Sequence, residues 1–183
     1  MARVLIPLAE GCEELEAVTL IDLLRRAGIE VVSAGLREGL VKCSRGTLLM
    51  PDTVLDAVLG DAFDMIVLPG GLPGADHLND DPRIHKLLRD MADNGRYTAA
   101  ICAAPKVLAS AGLLDGRSAT AYPGVLSALD LGQTRLSERP VVKDGSVITS
   151  RGPGTAMDFA LELIETLCGA DKRREVEQPL VRP

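Results

Sequence analysis

Short apolar runs alternate along this chain with longer stretches whose apolar positions recur every three or four residues. Residues 3–8 and 30–34 read as strands. Between them, residues 13–27 place Leu15, Val18, Leu20, Ile21 and Leu24 at helical spacing, and Gly28 ends the pattern. A strand, a helix and a strand in so short a span make a βαβ unit, which implies a parallel sheet. Residues 40–43 and 48–50 flank Ser44-Arg45-Gly46 as a small hairpin, and residues 53–59 read as a short helix. Residues 65–68 and 97–101 are buried-type strands, each followed by a helix, over 82–94 and 103–111. Pro82 suits a first helical turn. Residues 118–121 are a further strand candidate. Residues 141–143 and 147–150 flank Asp144-Gly145 as a hairpin, and 155–167 is the last periodic helix. Residues 171–183 are polar with a short apolar end.

This alternation predicts one domain over residues 1–183: an α/β, flavodoxin-like, doubly wound sandwich around a mainly parallel sheet. Ligands of such sheets bind beyond the carboxyl ends of the strands. Three turns fall at such ends, Gly70-Gly71, Cys102 and Gly152-Pro153-Gly154, and Glu14 lies near the start of the first helix.

Composition narrows the function. Aromatic residues are only 2% of the 183, which argues against modules that stack bases on exposed rings. A net charge of −6 predicts neither specific nucleic-acid binding nor attraction to an anionic membrane. No apolar run is long enough to span a bilayer, and the start reads as a strand rather than a signal peptide. The four cysteines, Cys12, Cys43, Cys102 and Cys168, form no C-x-x-C pair. Reduced thiols in a cytoplasm are the simplest reading.

Cys102 is the sharpest chemical signal. Strand-like Ala99-Ala100-Ile101 precedes it and helix-like Ala103-Ala104-Pro105 follows, which makes a strand-to-helix elbow. A helix N-terminus there is expected to lower the thiol pKa. A buried structural cysteine is the competing reading. Glu14 adjoins the predicted buried face marked by Leu15 and Val18, where a half-buried carboxyl would share a proton with a thiolate. Glu13 and Glu16 read as acids favoured by the helix dipole. Gly70-Gly71 offers backbone N–H groups to an oxyanion, or is only a tight turn. Residues 150–155 read either as an anion-accepting turn or as a cap made by Thr155. His77 and His85 form no metal spacing, and Tyr122 occupies the place where a base for Cys102 is expected. A Cys-His-acid triad is therefore not supported.

Six motifs then stand in a telling order. They are Glu13-Glu14-Leu15-Glu16-Ala17-Val18, Arg25-Arg26-Ala27-Gly28-Ile29, Cys43-Ser44-Arg45, Val67-Leu68-Pro69-Gly70-Gly71, Ala100-Ile101-Cys102-Ala103-Ala104-Pro105 and Thr149-Ser150-Arg151-Gly152-Pro153-Gly154-Thr155. Together they resemble the ThiJ/PfpI superfamily, in its DJ-one/YajL-like branch. The resemblance implies a homodimer with Cys102 as nucleophile, Glu14 as its protonated partner carboxyl, and the N–H groups of Gly71 and Ala103 as the oxyanion-binding pair. It places Gly70, Arg45, Tyr122, Arg151 and Pro153 around the substrate pocket, with Tyr122 where many members carry histidine. It implies no cofactor and no metal. The implied activities are conversion of reactive dicarbonyls without added cofactor (a glyoxalase) and deglycation of protein or nucleotide adducts. The alternative is an oxidative-stress sensor and chaperone that works through oxidation of Cys102.

Overall fold

The computed structural model describes residues 1–182. Seven strands form the central sheet: β1 (Arg3–Leu8), β2 (Glu30–Gly35), β3 (Thr53–Val54), β4 (Met65–Leu68), β5 (Tyr97–Ile101), β6 (Val141–Asp144) and β7 (Val147–Ser150). Their spatial order is β6-β7-β5-β4-β1-β2-β3. All neighbours pair in parallel except β6 and β7, which form an antiparallel hairpin at one edge. The helices are α1 (Glu14–Arg26), α2 (Gly74–Asp80), α3 (Pro82–Asp93), α4 (Pro105–Ser110), α5 (Ala156–Cys168) and α6 (Ala170–Glu177). The architecture is the flavodoxin-like α/β sandwich that the alternation predicts.

Successive residues of β1 feed opposite cores, because strand side chains alternate between faces. Val4, Ile6 and Leu8 pack with Leu20 and Leu24 of α1 and with Phe159 and Leu163 of α5. Leu5 packs on the other side with Ile84 and Leu88 of α3 and with Val107 and Leu108 of α4. Coverage of both faces is why these strands read as continuous apolar runs. Among the described residues no helix is long and apolar enough to cross a membrane.

Four local features differ from the sequence reading or go beyond it. Residues 53–59 hold the short edge strand β3 and then a 3-10 turn over Leu55–Val58, because Thr53 and Val54 extend to pair with Ala34 and Gly35. Helix α2 forms despite Gly74, Asn79 and two aspartates, residues that weaken a helical signal. It is held by packing, with Ala75 and Leu78 fully buried. The polar tail contains α6, anchored through buried Val176, while Pro183 lies outside the described residues. Ser118–Ala119 pairs with Arg135–Leu136 in a separate two-stranded ladder, not with the central sheet.

Candidate active site

Four connections at the carboxyl end of the sheet build the site. Cys102 directly follows β5 and takes a left-handed backbone conformation, with φ of 64°. Such a conformation costs a non-glycine residue about 1–3 kcal/mol and persists only where its surroundings impose it. They do so from both sides here. The Cys102 N–H donates to the Ser150 carbonyl at 3.0 Å, and its carbonyl accepts from the Tyr122 N–H at 2.9 Å. The elbow turns the thiol toward the N–H groups of Gly71 and Ala103, both of which stabilise its anion.

The carboxyl beside that thiol belongs to Glu16. It is completely buried, its Oε2 accepts from the Gly70 N–H at 2.8 Å, and its Oε1 has no hydrogen-bond partner. A Cβ at Gly70 would stand 2.6 Å from the Cys102 Cβ and 2.8 Å from Glu16 Oε2, so the two side chains flank one position that only glycine fits. Burial pushes the Glu16 carboxyl up to about 7, against the opposing pull of the Gly70 N–H and the Cys102 thiol. Burial and a charged Glu16 push the Cys102 thiol up to about 12, while the Gly71 and Ala103 N–H groups pull it down. The lowered thiol pKa expected from a helix N-terminus is thus overturned, by burial first and by the Glu16 charge second. The two groups titrate as a pair. A proton on Glu16 removes the repulsion and supplies a donor to the thiolate.

Glu14 is not at this site. Its carboxylate accepts from the Ser44 hydroxyl at 3.1 Å, from the Arg45 N–H at 3.1 Å and from the Thr47 N–H at 3.3 Å. Slight burial raises its pKa, but backbone donors including Arg45 and Thr47 outweigh that and hold it down at about 2. It is a permanently charged tether between α1 and the Val41–Leu49 hairpin. The correction follows from which face of α1 is buried. Glu16, Ala17, Leu20, Leu23 and Leu24 face the core, while Leu15 and Val18 are 51% and 47% exposed. The signal was present in the sequence: stepping back one helical turn from Leu20 lands on Glu16, not on Glu14.

The other expected residues divide between two places. Gly70, Gly71 and Ala103 are at the thiol. Tyr122 is bonded to Cys102 through its backbone, and its ring lies against Gly152, where a Cβ would come 3.3 Å from Cδ2. Pro153 follows in the same turn. Arg151 reaches the Glu138 carbonyl at 2.9 Å, and Arg45 belongs to the hairpin that holds Glu14. The Gly152 N–H donates to Thr155 Oγ1 at 3.1 Å, and that oxygen also bonds the Ser150 hydroxyl at 2.7 Å. This turn spends its donor on its own cap and not on an anion. His77 and His85 bond the carbonyls of Glu10 and Asn79. A cleft of about 790 Å³ is lined by residues such as Leu36, His77 and Arg83, and by none of the site residues.

Fold and elbow together describe an α/β protein with a cysteine at a strand-to-helix elbow and a buried carboxyl beside it. The model of the DJ-1/PfpI family matches residues 2–166, and the chain belongs to that family. It is 47% identical over 178 residues to Protein dj-1beta of Drosophila melanogaster, covering 97% of this chain and 95% of the relative. It is 38% identical over 179 residues to the Glutathione-independent glyoxalase DJR-1.2 of Caenorhabditis elegans, covering 98% and 95%. The crystal structure of Drosophila melanogaster DJ-1beta superposes with a TM-score of 0.94 at 45% identity, covering 100% of this chain and 98% of that one.

Proposed function

We propose that the protein is a cysteine-dependent enzyme that converts small reactive dicarbonyls to hydroxy acids without an added cofactor. The observation that carries this reading is the fully buried Glu16 carboxyl beside Cys102, with the N–H groups of Gly71 and Ala103 facing the sulfur. The Cys102 thiolate attacks the aldehyde carbon of methylglyoxal. As the carbon–sulfur bond forms, negative charge passes to the aldehyde oxygen, and backbone N–H groups stabilise it there. Protonated Glu16 gives its proton to that oxygen, which completes the hemithioacetal. As a carboxylate it then takes the proton from the sulfur-bearing carbon and returns it to the neighbouring carbon, while the hydroxyl proton passes to the neighbouring oxygen, which gives the thioester of a 2-hydroxy acid. Water hydrolyses the thioester to lactate and restores the thiol. The name of the nematode relative agrees with this chemistry. Action on early glycation adducts of protein or nucleotide is the same attack on a carbonyl-derived carbon that carries an amine.

The direct test is lactate formation from methylglyoxal in buffer free of thiols and amines. Turnover that vanishes in Cys102→Ser supports the reading, and full turnover in that variant contradicts it.

A second reading, oxidation sensing, draws on the same geometry. A protonated Glu16 can donate a hydrogen bond to an oxidised Cys102 sulfur, and one close structural relative is described as Toxoplasma gondii DJ-1, oxidized. Mass spectrometry after mild peroxide tests it: selective oxidation of Cys102 supports it, and indiscriminate or absent oxidation contradicts it.

Both readings include a homodimer. Leu15 and Val18 of α1 and Met50 beyond the hairpin leave apolar side chains exposed, with Met50 at 70%, as expected of a face covered by a second copy. Sedimentation of the intact chain decides between monomer and dimer.

A further inference from the structure

Cys12 and Cys43 take no part in the chemistry above, yet their sulfurs meet at 3.6 Å in the interior. Cys12 is inaccessible to solvent and Cys43 is 4% exposed. The backbone brings them together. The Gly11 N–H donates to the Lys42 carbonyl and the Ser44 N–H to the Cys12 carbonyl, both at 2.8 Å. Two distant segments therefore lie side by side with one thiol on each.

We propose that Cys12 and Cys43 form a redox modification site, in which two-electron oxidation joins the facing thiols as an intramolecular disulfide. The oxidant is a hydroperoxide or a small-molecule disulfide. With a hydroperoxide, one sulfur takes an oxygen to become a sulfenic acid and an alcohol leaves. The second thiol then attacks that sulfur and expels water. Two thiols and one hydroperoxide thus give one disulfide, one alcohol and one water. With a small disulfide, one thiolate forms a mixed disulfide, and the second thiol displaces the remaining half as a thiol. The sulfurs must close from 3.6 Å to about 2.05 Å, a side-chain rotation with a small backbone adjustment.

The cross-link has a defined place in the molecule. A Cβ at Gly71 or Gly74 would come within 2.8 Å of the Cys12 backbone, and the Glu13 N–H donates to the Gly70 carbonyl at 2.9 Å. The disulfide would tie the loop that supports the Gly70-Gly71 turn to the Val41–Leu49 hairpin.

The surroundings set the rate. Burial raises both thiol pKa values, the neighbouring thiol and Glu14 add to the rise at Cys12, and Glu10, Glu13 and Glu14 add to it at Cys43. The pair is therefore protonated at neutral pH and closes slowly. Because the thiolate is the attacking species, its closure quickens about tenfold per pH unit.

The test uses the full chain with Cys102→Ser and Cys168→Ser, beside the wild type, both confirmed as folded by circular dichroism. Each is treated with oxidised glutathione or tert-butyl hydroperoxide, quenched in acid, alkylated and mapped by mass spectrometry without reduction. The expected product is a Cys12–Cys43 cross-linked peptide pair lacking two hydrogens, reversed by dithiothreitol, forming about ten times faster at pH 8 than at pH 7. Recovery of both thiols as free alkylated cysteines, their separate oxidation to sulfinic acids, or cross-links between chains would overturn the proposal.

Discussion

Glu16 and Cys102 are served by consecutive N–H groups of a single turn. The Gly70 N–H binds the Glu16 carboxylate at 2.8 Å, and the Gly71 N–H faces the Cys102 sulfur. The turn between β4 and α2 therefore sets the distance between the carboxyl and the thiol, although neither belongs to it.

Gly70 is expected to tolerate no side chain. Its Cβ would meet the Cys102 Cβ at 2.6 Å and the Ile101 carbonyl at 2.8 Å, and a backbone atom cannot swing away as the end of a side chain can. Gly70→Ala should destabilise by about 1–3 kcal/mol, the usual cost of overpacking. For a chain of this size that lowers the melting temperature by about 2–4 °C per kcal/mol. Calorimetry checks the stability, and iodoacetamide labelling checks the expected loss of Cys102 reactivity.

Glu16 should make the protein less stable as pH rises. Its folded pKa, about 7, lies above the usual carboxyl value, so the folded state holds its proton more tightly. The associated stability is complete below the unfolded pKa of about 4.3 and is lost as pH climbs to about 7. The shift corresponds to roughly 4 kcal/mol. Glu16→Gln removes the titrating group, so the difference in stability between wild type and variant should move in favour of the variant from pH 5 to pH 8. Urea unfolding at the two pH values measures it, and an unchanged difference would refute the assignment.

Glu14 should behave in the opposite way. Its depressed pKa stabilises the fold above the ordinary carboxyl range, and that contribution fades as pH falls toward about 2. Glu14→Gln should lower the melting temperature modestly at pH 7 and leave the thiol undisturbed. The gap between variant and wild type should shrink below about pH 4, near the unfolded carboxyl pKa. Thermal scans from pH 3 to pH 7 check this.

Much of the frame was legible in the chain. The apolar runs at 3–8, 65–68 and 97–101 became β1, β4 and β5, and the alternation of strand with helix gave the layer order. The Cys102 elbow was legible because a strand-to-helix turn is a local feature, whereas Gly71 and Ala103 as a donor pair came with the family resemblance. Glu16 was not, because its role depends on which side of α1 meets the sheet. Leu15 and Val18 carry an apolar signal as strong as that of Leu20 and Leu24, yet they point outward. A second apolar stripe on one helix shifts the inferred buried face by part of a turn, enough to exchange Glu14 for Glu16. The Cys12–Cys43 contact was hidden for a related reason, since it depends on how the hairpin docks against the loop after β1. Helix α2 was hidden because packing of Ala75 and Leu78, rather than intrinsic propensity, holds it.

The most direct test of the account is lactate production from methylglyoxal by Glu16→Gln and Glu14→Gln, measured side by side with the wild type. A general acid–base group contributes roughly 10²–10⁴-fold to a rate. A loss of that order is expected for Glu16→Gln and wild-type turnover, within a few-fold, for Glu14→Gln. Loss confined to Glu14→Gln, or unchanged turnover in Glu16→Gln, would contradict it.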